Sequence, residues 1–285
     1  MEIKKVGVVG CGFMGSGITQ VCAQSGYQVV VSEINDELMN KGLASINYYL
    51  TRGLERGRVS QQDKDLTLAR IKGTTNTKDF SDCDLVIEVV PEDMKLKKKV
   101  FAEIDKICPK HTILSTNTSC LSIAEISAVT SRPDKVIGTH FLSPVPPSKL
   151  LEIVRSVNTS DETLETVKKF GKSLGKAVIV AKDTPGFIFN WLLVSLQQAA
   201  LHLLEKGIAT KEDIDTSMML GLGHPIGPIA IADFNGIDVS YMVTKAMYEQ
   251  TKDPWFAPSP LMKKLVDAGW LGRKTAKGFY DYNKE

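Results

Sequence analysis

Val6-Gly7-Val8-Val9-Gly10-Cys11-Gly12-Phe13-Met14-Gly15 is the stretch that decides the fold. Val6–Val9 predicts a short strand, the three glycines follow in GxGxxG spacing, and a helical pattern opens directly after them. A second strand is predicted over Gln28–Glu33, and its terminal acid lies 18 residues beyond Gly15. Strand, glycine loop, helix, strand and acid in this order make a dinucleotide site. Gly10 permits a tight turn, Gly12 lets backbone approach a pyrophosphate, and Gly15 allows close helix–sheet packing while the helix N-terminus faces the anion. Gly10, Gly12, Phe13, Met14, Gly15 and Glu33 are therefore the first candidate cofactor contacts. Glu33 suits two ribose hydroxyls and repels a further phosphate, so the expected cofactor is NAD rather than NADP. The alternatives are a structural glycine turn and a solvated strand-end acid.

Outward from this motif, short β-branched runs alternate with amphipathic helices up to about residue 183, as in βαβ units of a parallel sheet. Further strands are expected over Leu85–Val90, Thr112–Ser115, Lys135–Thr139, Leu150–Val154 and Ala177–Val180. Helices are expected over Asp36–Arg52, Lys95–Ile107, Leu121–Val129 and Asp161–Leu174. After Lys182-Asp183-Thr184-Pro185-Gly186 only helical patterns remain, over Phe187–Lys206, Lys211–Leu220, Pro228–Gln250 and Ser259–Ala268, with Pro185 suited to a helix start. The fold class expected is α/β: a doubly wound Rossmann-type N-terminal domain over 1–183, and an all-α C-terminal domain over 184–285.

Composition narrows the function. The chain has 285 residues, 43 % apolar and 24 % charged, enough for a core in each of two domains. A formal charge of +2 with interleaved acids and bases gives no footprint for nucleic acid or an anionic membrane, which leaves a small-molecule partner. Five cysteines without a C-x-x-C pair suit reduced thiols in a cytoplasmic protein and support no metal site. Glycines interrupt the first apolar run too soon for a signal peptide. The most apolar stretch, Phe187–Leu204, carries Asn190, Gln197, Gln198 and His202 and predicts a buried helix rather than a membrane span.

Ligands of an open α/β sheet bind beyond the carboxyl ends of its strands. Glu92, then Asn117 and Ser119, then His140 each follow a predicted strand and could face one crevice. Glu152 lies inside the apolar run Leu150–Val154, where an acid is costly unless paired; a histidine partner would explain it. A histidine held by a carboxylate is suited to accept a hydroxyl proton near neutral pH, as oxidation of an alcohol requires. Singly, each of these residues has an ordinary reading as a helix cap or a solvated group.

Together they resemble the L-3-hydroxyacyl-CoA dehydrogenase family, and within it the bacterial single-function 3-hydroxybutyryl-CoA dehydrogenases. The likeness runs nearly end to end. It is carried by Gly10–Gly17, Asp84–Pro91 with Glu92, Asn117-Thr118-Ser119, His140-Phe141 with Pro144-Val145-Pro146, Glu152, Asp183–Phe187 with Asn190, Gly227-Pro228 with Asp233, and Gly272–Thr275 with Gly278-Phe279-Tyr280. The resemblance implies His140 as base with Glu152 as its orienting partner, and Ser119 and Asn190 as hydrogen-bonding partners of the reacting oxygen and the acyl group. It also implies cofactor contacts from Glu92, Lys97, Asn117, Ser119 and Lys274. At the nicotinamide end the family commonly has an asparagine where this chain has Ser143, and after the substrate-domain Asn190 it usually has an arginine where this chain has Trp191. Trp191 could pack in the helical core or narrow the acyl site. Arg52, Arg56 and Arg58 could meet the phosphates of an acyl-CoA substrate or simply be solvated. The implied activity is reversible NAD-dependent oxidation of a short (3S)-3-hydroxyacyl-CoA, and the apolar Phe187–Leu204 suggests a homodimer. The alternatives are a dehydrogenase of a free 3-hydroxy acid, of gulonate or carnitine type, and a non-enzymatic, crystallin-like structural protein.

Overall fold

Val6, Val8 and Val9 of the first strand, β1 (Lys5–Val9), are buried, as expected of a strand at the centre of a sheet covered on both faces. Around it the computed structural model, which describes residues 1–283, builds an eight-stranded sheet. The other strands are β2 (Gln28–Ser32), β3 (Ile71–Thr74), β4 (Leu85–Glu88), β5 (Ile113–Thr116), β6 (Val136–Phe141), β7 (Leu150–Arg155) and β8 (Ala177–Lys182). Their spatial order is β3-β2-β1-β4-β5-β6-β7-β8. The order reverses between β1 and β4, which is the doubly wound arrangement, and its switch point lies where β1 delivers the glycine loop.

All neighbouring strands run parallel except β6 and β7, which are antiparallel. The parallel pairing expected of βαβ units holds for every pair but this one. The eight residues between Phe141 and Leu150 are too few for a crossover, which takes a dozen or more, so the chain turns back on itself. β3 and the helix before it were not foreseen. β3 is a four-residue edge strand, Ile71-Lys72-Gly73-Thr74, with no buried residue and no clear alternation.

The helices between the strands are α1 (Phe13–Gln24), α2 (Asp36–Glu55), α3 (Gln61–Ala69), α4 (Met94–Ile107), α5 (Ile123–Ser127) and α6 (Asp161–Ser173). All but α1 start at side-chain caps: in α2, α4 and α6, Asn35 accepts from Leu38 N at 2.9 Å, Asp93 from Leu96 N at 2.7 Å, and Ser160 from Thr163 N at 3.2 Å. Asp93, not Glu92, caps α4. One core joins β1, β2, β4, β6 and β7 to α1 and α6 through Val8, Ile18, Val31, Ile87, Ile137, Ile153 and Phe170.

Compact units divide the chain after Thr184, one residue beyond the expected boundary. The second unit carries helices and no named strand among its described residues: α7 (Phe189–Glu205), α8 (Lys211–Leu222), α9 (Pro228–Asn235), α10 (Ile237–Thr251) and α11 (Pro260–Asp267). Two expected boundaries shift. Gly186 and Phe187 take positive φ (78° and 54°), so α7 starts at Phe189 rather than at the expected Phe187. Gly236, at φ 98°, breaks the single helix expected over Pro228–Gln250 into α9 and α10. Leu201, Ile214, Ile229, Ile237, Met262 and Phe279 form its main core.

Two buried aspartates tie this unit together. Asp215 accepts from Ile229 N and Ala230 N at the start of α9 and from the Tyr280 hydroxyl, at 2.7, 3.0 and 2.8 Å. Asp233 accepts from Phe279 N, Tyr280 N and the Tyr282 hydroxyl at 2.9, 2.8 and 3.0 Å. Burial, with Asp233 beside it, pushes the Tyr282 phenol up to about 12. No helix among the described residues is long and apolar enough to cross a membrane.

Candidate active site

Three glycines behave differently at the switch point. Gly10 sits at φ 102°, and a side chain there would meet the Val89 carbonyl oxygen. A Cβ on Gly15 would overlap the Gly10 carbonyl oxygen, so this position is closed by packing. A Cβ on Gly12 would meet nothing within 4 Å: the loop is open there. Gly12 is also the N-cap of α1 and brings no side-chain cap, and no acid occupies the first turn, where Phe13 is exposed and Met14 half-buried. The positive end of α1 therefore faces an open approach, as a pyrophosphate requires. Glu33 Oε1 accepts from Cys11 N at 2.8 Å and Oε2 from Ile34 N at 3.1 Å. These bonds hold the Glu33 carboxylate, the expected ribose contact, against the glycine loop. The loop, the helix end and the carboxylate fit a dinucleotide with two free ribose hydroxyls.

Beyond the ends of β4 and β5 the chain forms a second set of contacts. Glu92 Oε1 accepts from the Thr118 hydroxyl at 2.6 Å, Ser119 N at 2.9 Å and Cys120 N at 3.3 Å. Asn117 donates its backbone N–H to Glu88 O at 2.9 Å, and its Oδ1 accepts from Phe141 N at 2.9 Å. The Asn117–Cys120 loop is thereby fastened to β4 on one side and to the residue after His140 on the other. Lys97 departs from its expectation as an open cofactor contact. Its side chain is 1 % exposed, and the ammonium lies on Glu88 Oε1 at 2.8 Å and 3.4 Å from Glu92 Oε2.

β6 carries the third element. The strand runs on through Phe141, two residues past its expected end, so His140 lies within the ladder and not after it. The antiparallel register sets His140 directly opposite Glu152. Nδ1 and Oε2 are 3.0 Å apart, with the two residues 4 % and 0 % exposed. The predicted histidine partner of the buried acid is thus supplied by the neighbouring strand. A carboxylate on Nδ1 fixes the ring tautomer and leaves proton transfer to Nε2. Ser143, in the β6–β7 connection, is exposed.

The other predicted residues make contacts of their own. Arg52 pairs with Glu55 at 2.7 Å on the exposed face of α2, and Arg56 is the exposed C-cap of that helix. In the second unit, Asn190 is buried in the first turn of α7, and Lys274 is ion-paired with Asp238 at 2.6 Å. Trp191 stacks edge-on against Phe256, centroids 4.6 Å apart, so it packs within its own unit. Sequence reasoning missed Glu88 and Thr116, both fully buried beside Lys97. The signal that singled out Glu152, an acid in an apolar strand, was equally present in Leu85-Val86-Ile87-Glu88.

Known proteins resemble this chain along nearly its whole length. Residues 5–184 match the model of the 3-hydroxyacyl-CoA dehydrogenase NAD binding domain, and residues 186–282 match that of the 3-hydroxyacyl-CoA dehydrogenase C-terminal domain. A probable 3-hydroxybutyryl-CoA dehydrogenase of Bacillus subtilis is 40 % identical over 285 residues, covering 100 % of this chain and 99 % of its own. A 3-hydroxybutyryl-CoA dehydrogenase of Clostridioides difficile is 42 % identical over 280 residues, covering 98 % and 100 %. The crystal structure of (S)-3-hydroxybutyryl-CoA dehydrogenase PaaH1 from Ralstonia eutropha superposes with a TM-score of 0.95 at 42 % identity, over 99 % of this chain and 100 % of that one. With both domain models matched in order along nearly the whole chain, the protein belongs to the NAD-binding 3-hydroxyacyl-CoA dehydrogenase family of oxidoreductases.

Proposed function

We propose that the protein catalyses the reversible oxidation of a short (3S)-3-hydroxyacyl-CoA, 3-hydroxybutyryl-CoA being the substrate of choice, to the 3-ketoacyl-CoA. The observation that carries this reading is the buried His140–Glu152 pair, with Nδ1 held at 3.0 Å by the carboxylate. His140 Nε2 takes the hydroxyl proton, and Glu152 keeps the ring oriented and stabilises the imidazolium that forms. The Ser119 hydroxyl hydrogen-bonds the reacting oxygen and holds it toward the imidazole. We assign Asn190 to the acyl group on the strength of the family resemblance, and Arg52 and Arg56 to the CoA phosphates. NAD, when bound, supplies the hydride acceptor. Gly10, Gly12, Phe13, Met14, Gly15 and Glu33 bind it; Asn117, Ser119, Ser143 and Lys274 are assigned to its nicotinamide and ribose ends, with Glu92 and, through it, Lys97. The 1–183 and 184–285 segments then act as the cofactor domain and the substrate-binding and dimerisation domain of a cytoplasmic homodimer. Exposed Leu192 on α7 and Leu220 and Leu222 on α8 support the homodimer as apolar surface for a second copy.

The test is NADH consumption with acetoacetyl-CoA, with free acetoacetate and with longer 3-ketoacyl-CoAs, repeated with NADPH. The expected result is rapid turnover only with the thioesters, fastest with acetoacetyl-CoA and with NADH. Equal efficiency with free acetoacetate would replace the substrate, and equal efficiency with NADPH would remove Glu33 from its role.

A further inference from the structure

Glu88 ends β4 with its side chain fully buried, yet it takes no part in the proton transfer just described. Its Oε1 accepts from Lys97 Nζ at 2.8 Å and Val90 N at 2.7 Å; Oε2 accepts from the Thr116 hydroxyl at 2.7 Å and from Lys97 Nζ at 3.1 Å. Lys97 reaches back from the first turn of α4, with its ammonium also on Val90 O at 3.2 Å and 3.4 Å from Glu92 Oε2. Two routes therefore leave Glu88 for the same loop. One runs through Lys97 to Glu92, whose other oxygen accepts from Thr118 Oγ1, Ser119 N and Cys120 N. The second runs through Thr116 Oγ1, which accepts from Thr118 N at 3.2 Å.

A buried ion pair is a poor way to gain stability, because apolar side chains of similar size fill the same space without the desolvation cost. What this pair adds is direction. Its charges and donors hold Glu92 and Thr116 in one arrangement, and that arrangement sets the backbone on which Ser119 is carried. The backbone of Glu88 adds a third tie through Asn117 N, and Asn117 Oδ1 in turn accepts from Phe141 N beside His140.

We propose that Glu88 is a positioning residue for the dehydrogenase reaction: with Lys97 it holds Glu92 and Thr116 so that the Asn117–Cys120 loop presents Ser119 in reacting register with His140. The proposal rests on the assignment of Ser119 and His140 to the reaction. It also gives Lys97 its work inside the protein, on Glu92.

Glu88→Gln keeps the volume and one acceptor but removes the charge, so Lys97 is drawn onto Glu92 and away from its central position. Misplacement of a reacting group by about 1 Å can cost about 100-fold, so acetoacetyl-CoA turnover by Glu88→Gln is expected to fall about 10- to 100-fold, counted per NADH-binding site by fluorescence titration. The NADH dissociation constant and the KM for acetoacetyl-CoA are expected to stay within about threefold of wild type, the pattern of a lost transition-state interaction. Thr116→Val removes only one route, disturbs the fold less and decides the matter if Glu88→Gln does not fold; it is expected to lose about three- to tenfold in kcat alone. Ser119→Ala is measured alongside. If Ser119→Ala lowers kcat while both other variants turn over normally, the positioning role is wrong and the Ser119 assignment stands. If Ser119→Ala is itself normal, the assignment fails and the proposal with it. NADH binding weakened more than about tenfold with an unchanged kcat at saturation would show that Glu88 and Lys97 serve only the cofactor contact of Glu92 and would also overturn the proposal.

Discussion

Glu152→Gln isolates the charge of the carboxylate from its shape. The side chain is fully buried and faces a histidine that is 4 % exposed, so water cannot replace what the substitution removes. Glutamine keeps the volume and a carbonyl oxygen to accept from Nδ1, so ring orientation and tautomer are retained. What is lost is attraction between a carboxylate and the imidazolium that forms as the hydroxyl proton arrives. With Nδ1 and Oε2 3.0 Å apart, the charge centres are separated by about 4 Å, where opposite unit charges attract by about 4 kcal/mol at an effective dielectric constant of about 20. The amide dipole recovers part of this, so the barrier should rise by about 2–4 kcal/mol, which corresponds to a fall in kcat of about 30- to 1,000-fold. The assay is 3-hydroxybutyryl-CoA oxidation followed by NADH appearance at saturating NAD, with the thermal melt and NADH affinity of the variant measured as controls. A well-folded Glu152→Gln enzyme that binds NADH normally and turns over within about threefold of wild type would refute the argument that this carboxylate stabilises the protonated ring.

The glycine loop offers a paired comparison, because one position is open and another closed by packing. Gly12→Ala is expected to keep the wild-type melting temperature and to lose NADH affinity by more than tenfold, since its Cβ would enter only the space a pyrophosphate needs; Gly15→Ala is expected to lower the melting temperature as well, by about 1–3 kcal/mol of overpacking against the Gly10 carbonyl. Equal melting temperatures for the two variants in calorimetry would contradict this. The cysteines are expected to be inert. Burial pushes the thiols of Cys11, Cys22 and Cys83 up to about 12 and that of Cys108 up to about 11, and raises Cys120 too, where the carboxylate of Glu92 adds to the effect. Because only the thiolate reacts, Ellman's reagent should find no fast thiol in the native chain between pH 7 and about 9, and all five after denaturation. A native thiol that reacts with an ordinary midpoint near 8.5 would show that its burial is not maintained.

Much of the cofactor half of the site was legible because its signals are local. A valine run, three glycines at fixed spacing and an acid at the next strand end depend on nothing farther away than the neighbouring strand. The second half depends on pairing, and there the reading ran short. That Glu152 would need a partner such as a histidine followed from the cost of an acid in an apolar strand, and the family resemblance pointed to His140, but the antiparallel direction of β6 and β7 was hidden by the parallel pattern of every earlier unit. The short connection between the two runs was the available clue. Lys97 looked like an open lysine because α4 carries Lys95, Lys98 and Lys99 beside it; only the tertiary placement of Glu88 distinguishes the buried one. β3 left almost no trace, since an edge strand of Ile-Lys-Gly-Thr buries too little to impose alternation. The break at Gly236 was marked by Asn235-Gly236, a turn dipeptide inside an otherwise continuous helical pattern.

The hairpin of β6 and β7 also makes His140 an internal gauge of how the sheet has aligned itself. Side chains alternate across a ladder, so sliding one strand by a single residue would turn the imidazole and the carboxylate to opposite faces. No partial version of the contact survives such a slip. The Nδ1 proton resonance of His140, deshielded by the carboxylate only in the correct alignment, would therefore report by NMR on the alignment of two strands in the interior of the molecule, in refolding mixtures as well as in the finished protein.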